Sequence, residues 1–181
     1  ETYRHVVGSL ISLRRPLGVR PFANLLGMTE QDARAILRPL SAVVMVPTDA
    51  KAPIHLYHAS FQEFLLRATT VETTEVHGLL FLSPSHGALG GACVAHMNSA
   101  LRQNICDVPA DIPLDELASF LPNPSARIQT ETQYACLEFA HHLSVAPETI
   151  LSAQSAVEAW MKRNFFFWLE VLSLLGEVNR V

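Results

Sequence analysis

Two groups of side chains in this 181-residue sequence have the types and spacing to do chemistry. The first is the run Leu56-Tyr57-His58-Ala59-Ser60-Phe61-Gln62-Glu63-Phe64-Leu65. Its pattern places His58 at the end of a strand and just before a helix whose start is marked by a Ser60-x-x-Glu63 capping box. The free N–H groups of a helix start form an anion-friendly pole, and an imidazole beside it adds one more donor. That combination suits a phosphate contact; the plain alternative is a structural histidine that orients the strand–helix turn. The second group is Cys93-x-x-His96, Cys106, Cys136 and the His141-His142 pair. Zinc would need a second pair at C-x-x-C or H-x-x-x-H spacing, and none is present. Cys93 and His96 also share the apolar face of their helix, so core packing is the better reading. A Cys/His hydrolase would need an oxyanion hole or a helix-start cysteine, and nothing marks either.

The elements that must position these residues follow from periodicity. Val6, Val7, Leu10 and Ile11 share one face of a helix over 3–13, which Arg15-Pro16 breaks. A short helix from about Pro21 carries Phe22, Leu25 and Leu26, and Gly27 closes it. Thr29 with Asp32 marks the next start, followed by Ala33, Ile36, Leu37 and Leu40 at helical spacing. Val43, Val44 and Val46 then form a β-branched run ended by Pro47, and residues 54–57 read as a second short strand. Three helices and a β-hairpin are the order of a winged helix. Residues 68–91 read as a looser stretch, and the glycines Gly87, Gly90 and Gly91 weaken the start of the helix that follows. Leu89, Cys93, His96, Met97, Ala100 and Leu101 share a face of that helix. Further helices are expected over about 114–121, 130–143 and 155–176, resembling helix pairs that stack on one another. The fold class is therefore mainly α: a winged helix over 1–72, with a boundary near 70–88, and a helical bundle or superhelical region over 73–181.

Composition narrows the function. Nearly half the chain is apolar and 17% is charged, with a formal net charge of -4. The 13 Lys and Arg residues are dispersed, and only Lys51 and Lys162 are lysines. A nucleic-acid footprint needs clustered cations, and a membrane-surface helix needs a basic face. A helix-turn-helix can nevertheless read DNA, so a DNA-binding winged helix is the alternative. Its recognition helix would carry Thr29, Glu30, Gln31, Arg34 and Arg38, with Glu30 and Asp32 unfavourably facing phosphates. Three cysteines are an odd number, which suits reduced thiols in a cytoplasmic protein. No signal peptide is visible, and the most apolar run, 165–176, is too short to span a bilayer. Phe165-Phe166-Phe167-Trp168 fits a core or a partner-helix surface. The ends at Glu1 and Val181 read as cuts through a longer protein.

The run from Tyr57 to Leu65 resembles the H-x-S-F-x-E/D-F-L motif in the winged helix of NACHT-type STAND signalling NTPases. Arg15-Pro16-Leu17, Leu25-Leu26-Gly27 and Leu37-Arg38-Pro39-Leu40-Ser41 are similar to the helix-turn-helix of fungal, basidiomycete-like members. Asn104-Ile105-Cys106, Tyr134-Ala135-Cys136 with Ala140-His141-His142-Leu143, and residues 168–174 resemble their later helices, with Phe139 standing where the family has Trp. The likeness runs from about Val6 to Gly176. It implies that His58 contacts the β-phosphate of ADP held by an upstream nucleotide-binding domain, keeping that domain closed until ATP replaces ADP. It further implies a C-terminal repeat sensor, homo-oligomerisation on activation, and a role in fungal innate immunity or programmed cell death. The chain itself contains no G-x-x-x-x-G-K-[ST] P-loop and no Walker B carboxylate after an apolar strand. The expectation is therefore a non-catalytic segment without a cofactor of its own, binding neither metal nor nucleic acid.

Overall fold

The computed structural model describes residues 2–58, 85–113 and 115–180, with the side chains of 147–156 and 180 excepted. The capping box at Ser60 and Glu63, the helix expected after it and the boundary at 72/73 lie outside the described residues. The rest is mainly α, with one small sheet. Helix α1 (Thr2–Ile11), α2 (Val19–Leu25) and α3 (Glu30–Leu37) precede a two-stranded antiparallel hairpin, β1 (Val44–Met45) and β2 (His55–Leu56). Val44 pairs with Leu56 and Met45 with His55. Then come α4 (His86–Ala100), the short α5 (Leu117–Phe120), α6 (Thr130–Val145) and the long α7 (Pro147–Leu174). Among the described residues, no helix is long and apolar enough to cross a membrane.

The local signals act as their chemistry dictates. The Asp32 N–H donates to Thr29 Oγ1 at 3.1 Å, capping α3; a cap of this kind contributes about 1 kcal/mol. Gly27 takes a positive φ of 67°, which closes α2 while the Met28 N–H returns to the Ala23 carbonyl. The hairpin is tied back to the α1–α2 segment, because the Ile54 N–H donates to the Leu17 carbonyl at 2.8 Å. Pro21 sits at the third residue of α2, not at its start, since Gly18 accepts the first turn's bond from Phe22.

The core runs through both parts of the chain. Val6, Phe22, Ala33 and Leu37 are buried in the first, and Leu89, Cys93, Met97, Tyr134, Phe139 and Trp160 in the second. Helices α4 and α6 pack most closely, and α2 lies on α6. Leu89, Cys93 and Met97 recur at four-residue spacing and face inward, as their periodicity requires. Helix α4 begins at His86 despite its glycines. At Gly90 a side chain would meet Leu143, so the missing Cβ is what lets α6 approach. Trp160, Asn164, Trp168 and Val171 form the buried stripe of α7. Its two tryptophans pack against Phe139 at 4.9 and 5.7 Å, and Trp168 Nε1–H donates to the Cys136 carbonyl at 2.9 Å. The run 165–168 is thus split: Trp168 faces the core, while Phe166 is 79% exposed.

Candidate functional site

His58 lies two residues beyond β2, and both it and Tyr57 are exposed. The Tyr57 N–H donates to the Val43 carbonyl at 3.0 Å, so hairpin pairing continues up to the residue before the imidazole. The hairpin itself rests on α3, because Arg34 donates to the Pro47 and Thr48 carbonyls at 2.8 and 3.1 Å. His58 is therefore presented to solvent from a braced element. The Ser60 helix start that would complete an anion pole lies outside the described residues.

Of the residues that a duplex-reading α3 would use, Thr29, Glu30 and Arg34 are engaged within the fold. Glu30 accepts from Arg20 at 3.0 Å and from Arg34 at 2.9 Å. These two guanidinium groups hold the Glu30 carboxyl below its usual range, Arg34 contributing most. Arg34 spends its remaining donors on the hairpin.

The cysteines and histidines of the second group are dispersed through the helical core. Cys93, Cys106 and Cys136 are buried thiols, and burial pushes all three up, Cys136 to about 12. A protonated thiol is a poor nucleophile and a poor metal ligand. His96 Nε2 pairs with Thr132 Oγ1 at 3.0 Å. Among the described residues, no group of three or more His, Cys, Asp or Glu side chains is arranged to hold a metal ion.

The structure instead assembles a polar network that the sequence reading did not single out. His142 on α6 is 0% exposed. Its Nδ1 lies 2.9 Å from Nδ1 of His86 at the start of α4, and its Nε2 lies 2.8 Å from the Tyr134 hydroxyl. That hydroxyl also accepts the Arg14 backbone N–H at 3.3 Å, from the segment joining α1 to α2. Burial lowers His142 to about 4, helped by the charges of His86, His141 and Arg14; burial lowers His86 too. Beside them Glu138, 4% exposed, receives Arg14 Nε at 3.1 Å and Arg15 Nε at 2.9 Å. Nearer the start of α6, the buried Glu131 accepts from Asn24 of α2 at 2.6 Å. Tyr134, Glu138 and His142 stand at i, i+4 and i+8, a polar stripe on a helix that is otherwise core. That stripe was the available signal; the partners His86 and Arg14 carried none.

No protein-family model, no curated protein and no solved structure matches the chain.

Proposed function

We propose that this chain is the non-catalytic regulatory segment of a NACHT-type signal-transduction NTPase. In this reading residues up to 72 form a winged helix that clamps the ADP-bound, inactive state of an upstream nucleotide-binding domain. The helices after it relay the state of a C-terminal sensor. The observation that carries the reading is the exposed His58, two residues past a hairpin braced on a three-helix unit. The motif from Tyr57 to Leu65 supports it from the sequence side.

The mechanism is differential binding. His58 donates to the β-phosphate of ADP in the closed state and loses that contact when the domain opens with ATP. A hydrogen bond to a charged group contributes about 1.5–3 kcal/mol. That is roughly a 10- to 150-fold bias between two states. The test is His58→Ala in the full-length protein. ADP retention is expected to fall by that factor, with spontaneous oligomerisation rising. Unchanged ADP retention in the variant would remove the clamp role.

A further inference from the structure

The histidine pair sits where the first part of the chain meets the second. The hydrogen-bond polarity of this joint has one arrangement that leaves no donor stranded. The Arg14 N–H donates to the Tyr134 oxygen, so the Tyr134 O–H donates onward to His142 Nε2. His142 then carries its proton on Nδ1 and donates it to His86 Nδ1. The His86 proton is left on Nε2, on a ring only half-buried. Both imidazoles are neutral in this state.

Adding one proton disrupts it whichever ring takes it. If His86 is protonated, its Nδ1–H must donate to His142, whose remaining proton moves to Nε2 and points at Tyr134. If His142 is protonated, its Nε2–H again points at Tyr134. In both cases the Tyr134 oxygen already accepts from Arg14, and its own O–H loses its acceptor in a buried site, a costly loss. A second proton would set two N–H groups, each on a cation, head to head at the 2.9 Å that now separates the nitrogens.

We propose that the His86–His142 pair is an acid-released latch, holding the Arg14 segment on α6 when neutral and letting it go when protonated. The charged and titratable groups around it oppose protonation. His86 faces His142 from α4, and Arg14 faces it from the α1–α2 segment. On α6 itself His141 adds repulsion, its ring 5.8 Å from that of His142. Cys93 of α4 and Glu138 of α6 act on Tyr134, and Glu138 is matched by both Arg14 and Arg15. The joint has a further tie at its edge, where the Ser85 N–H donates to Ser12 Oγ at 3.0 Å.

The experiment follows the Arg14 amide by hydrogen exchange and the histidine ring nitrogens by NMR, in the 181-residue chain between pH 7 and pH 5. At pH 7 the His142 ring should show Nδ1–H and a bare Nε2. Taking His142 from its ordinary 6.5 to about 4 in the closed latch, Arg14 protection, corrected for intrinsic exchange, should fall about twentyfold across this range. In His142→Gln, whose amide can accept from Tyr134 and donate to His86 without titrating, the fall should shrink below about threefold. The wild-type chain supplies a test that needs no variant: Arg14 opening should begin to rise near pH 6.5 and steepen to about eightfold per pH unit by pH 5, the slope of about one proton taken up on opening. A wild-type fall below about threefold, a His142 ring that carries its proton on Nε2 at pH 7, or a folded His142→Gln chain that keeps the full acid response would each overturn the latch.

Discussion

Gly90 and Gly91 are neighbours in α4, yet alanine should move stability in opposite directions at the two. In a helix interior alanine is favoured over glycine by about 1 kcal/mol, because glycine gives up more backbone freedom on folding. At Gly91 an added Cβ meets nothing within 4 Å, so Gly91→Ala should gain roughly that amount. At Gly90 the same atom would lie 2.8 Å from Leu143 Cδ2, 3.1 Å from Leu143 Cγ and 3.4 Å from His142 Cβ. Comfortable carbon contacts begin near 3.5 Å, and Leu143 is itself buried with little room to turn. Overpacking of this kind costs about 1–3 kcal/mol. Set against the propensity gain, Gly90→Ala should lose about 0–2 kcal/mol, leaving the two variants about 1–3 kcal/mol apart. Urea unfolding followed by far-UV circular dichroism measures this as opposite midpoint shifts at constant slope. Truncating Leu143 to alanine should relieve the clash, so the double-mutant cycle should show a favourable coupling of at least about 1 kcal/mol. If Gly90→Ala stabilises as much as Gly91→Ala, α4 and α6 are not in the contact described, and the argument for their close approach fails.

Acid should weaken the whole fold as well as its joint. His142 is lowered from 6.5 to about 4 on folding, chiefly by burial, so the unfolded chain binds its proton first as pH falls. Its contribution to stability is therefore intact above about pH 6.5 and is lost on acidification towards about pH 4, a span worth about 3 kcal/mol. Urea midpoints at pH 7, 6, 5 and 4 should decline in that window, and a flat profile would contradict neutral burial of the ring. Glu138→Gln should cost about 1–2 kcal/mol, because an anionic acceptor for two guanidinium groups is replaced by a neutral amide whose single oxygen can accept from one of them while its NH2 faces the other. Arg14 and Arg15 keep roughly half their surface in water and re-solvate, which limits the loss. A midpoint identical to wild type would show that the pair of ion contacts adds nothing.

Much of the fold was legible where a signal is local. The Thr29 cap, the Gly27 closure, the β-branched run before Pro47 and the spacing of Leu89, Cys93 and Met97 each act within a few residues, and each appears in the structure. Helix starts were read less well where packing overrides propensity. Gly87, Gly90 and Gly91 argue against a helix start, but Gly90 is what admits α6, so the approach of α6 compensates the weak propensity. Helix α7 begins at Pro147, eight residues before the expected 155, because proline is compatible with the first turn and Ala146 precedes it in a non-helical conformation, φ -124° and ψ 69°. The histidine pair was illegible for a different reason. Its members are 56 residues apart, and His86 sits in a Ser-Pro-Ser-His-Gly stretch that reads as a turn. His58 stands out as a candidate because a capping-box pattern and a strand pattern flank it in sequence, which is a local property.

The polar ties between the two parts of the chain also bear on how they can separate. Apolar packing of α2 on α6 has little preference for one axial position over its neighbours. Asn24 on Glu131 and the Arg14 and Arg15 contacts to Glu138 fix two points seven residues apart on α6, about 10 Å along its axis. Two such points set both the position and the rotation of the first part on the second. Sliding by one turn would strand Glu131 and Glu138 together, each a buried carboxylate without its partner, and would uncover His142. Partial separation therefore carries nearly the full electrostatic cost while recovering little solvation. The joint is expected to open as a unit, with Asn24, Arg14 and Arg15 released together. The relay proposed for this chain would need that all-or-none behaviour, since a joint that yields gradually would dissipate a signal from one side before it reached the other.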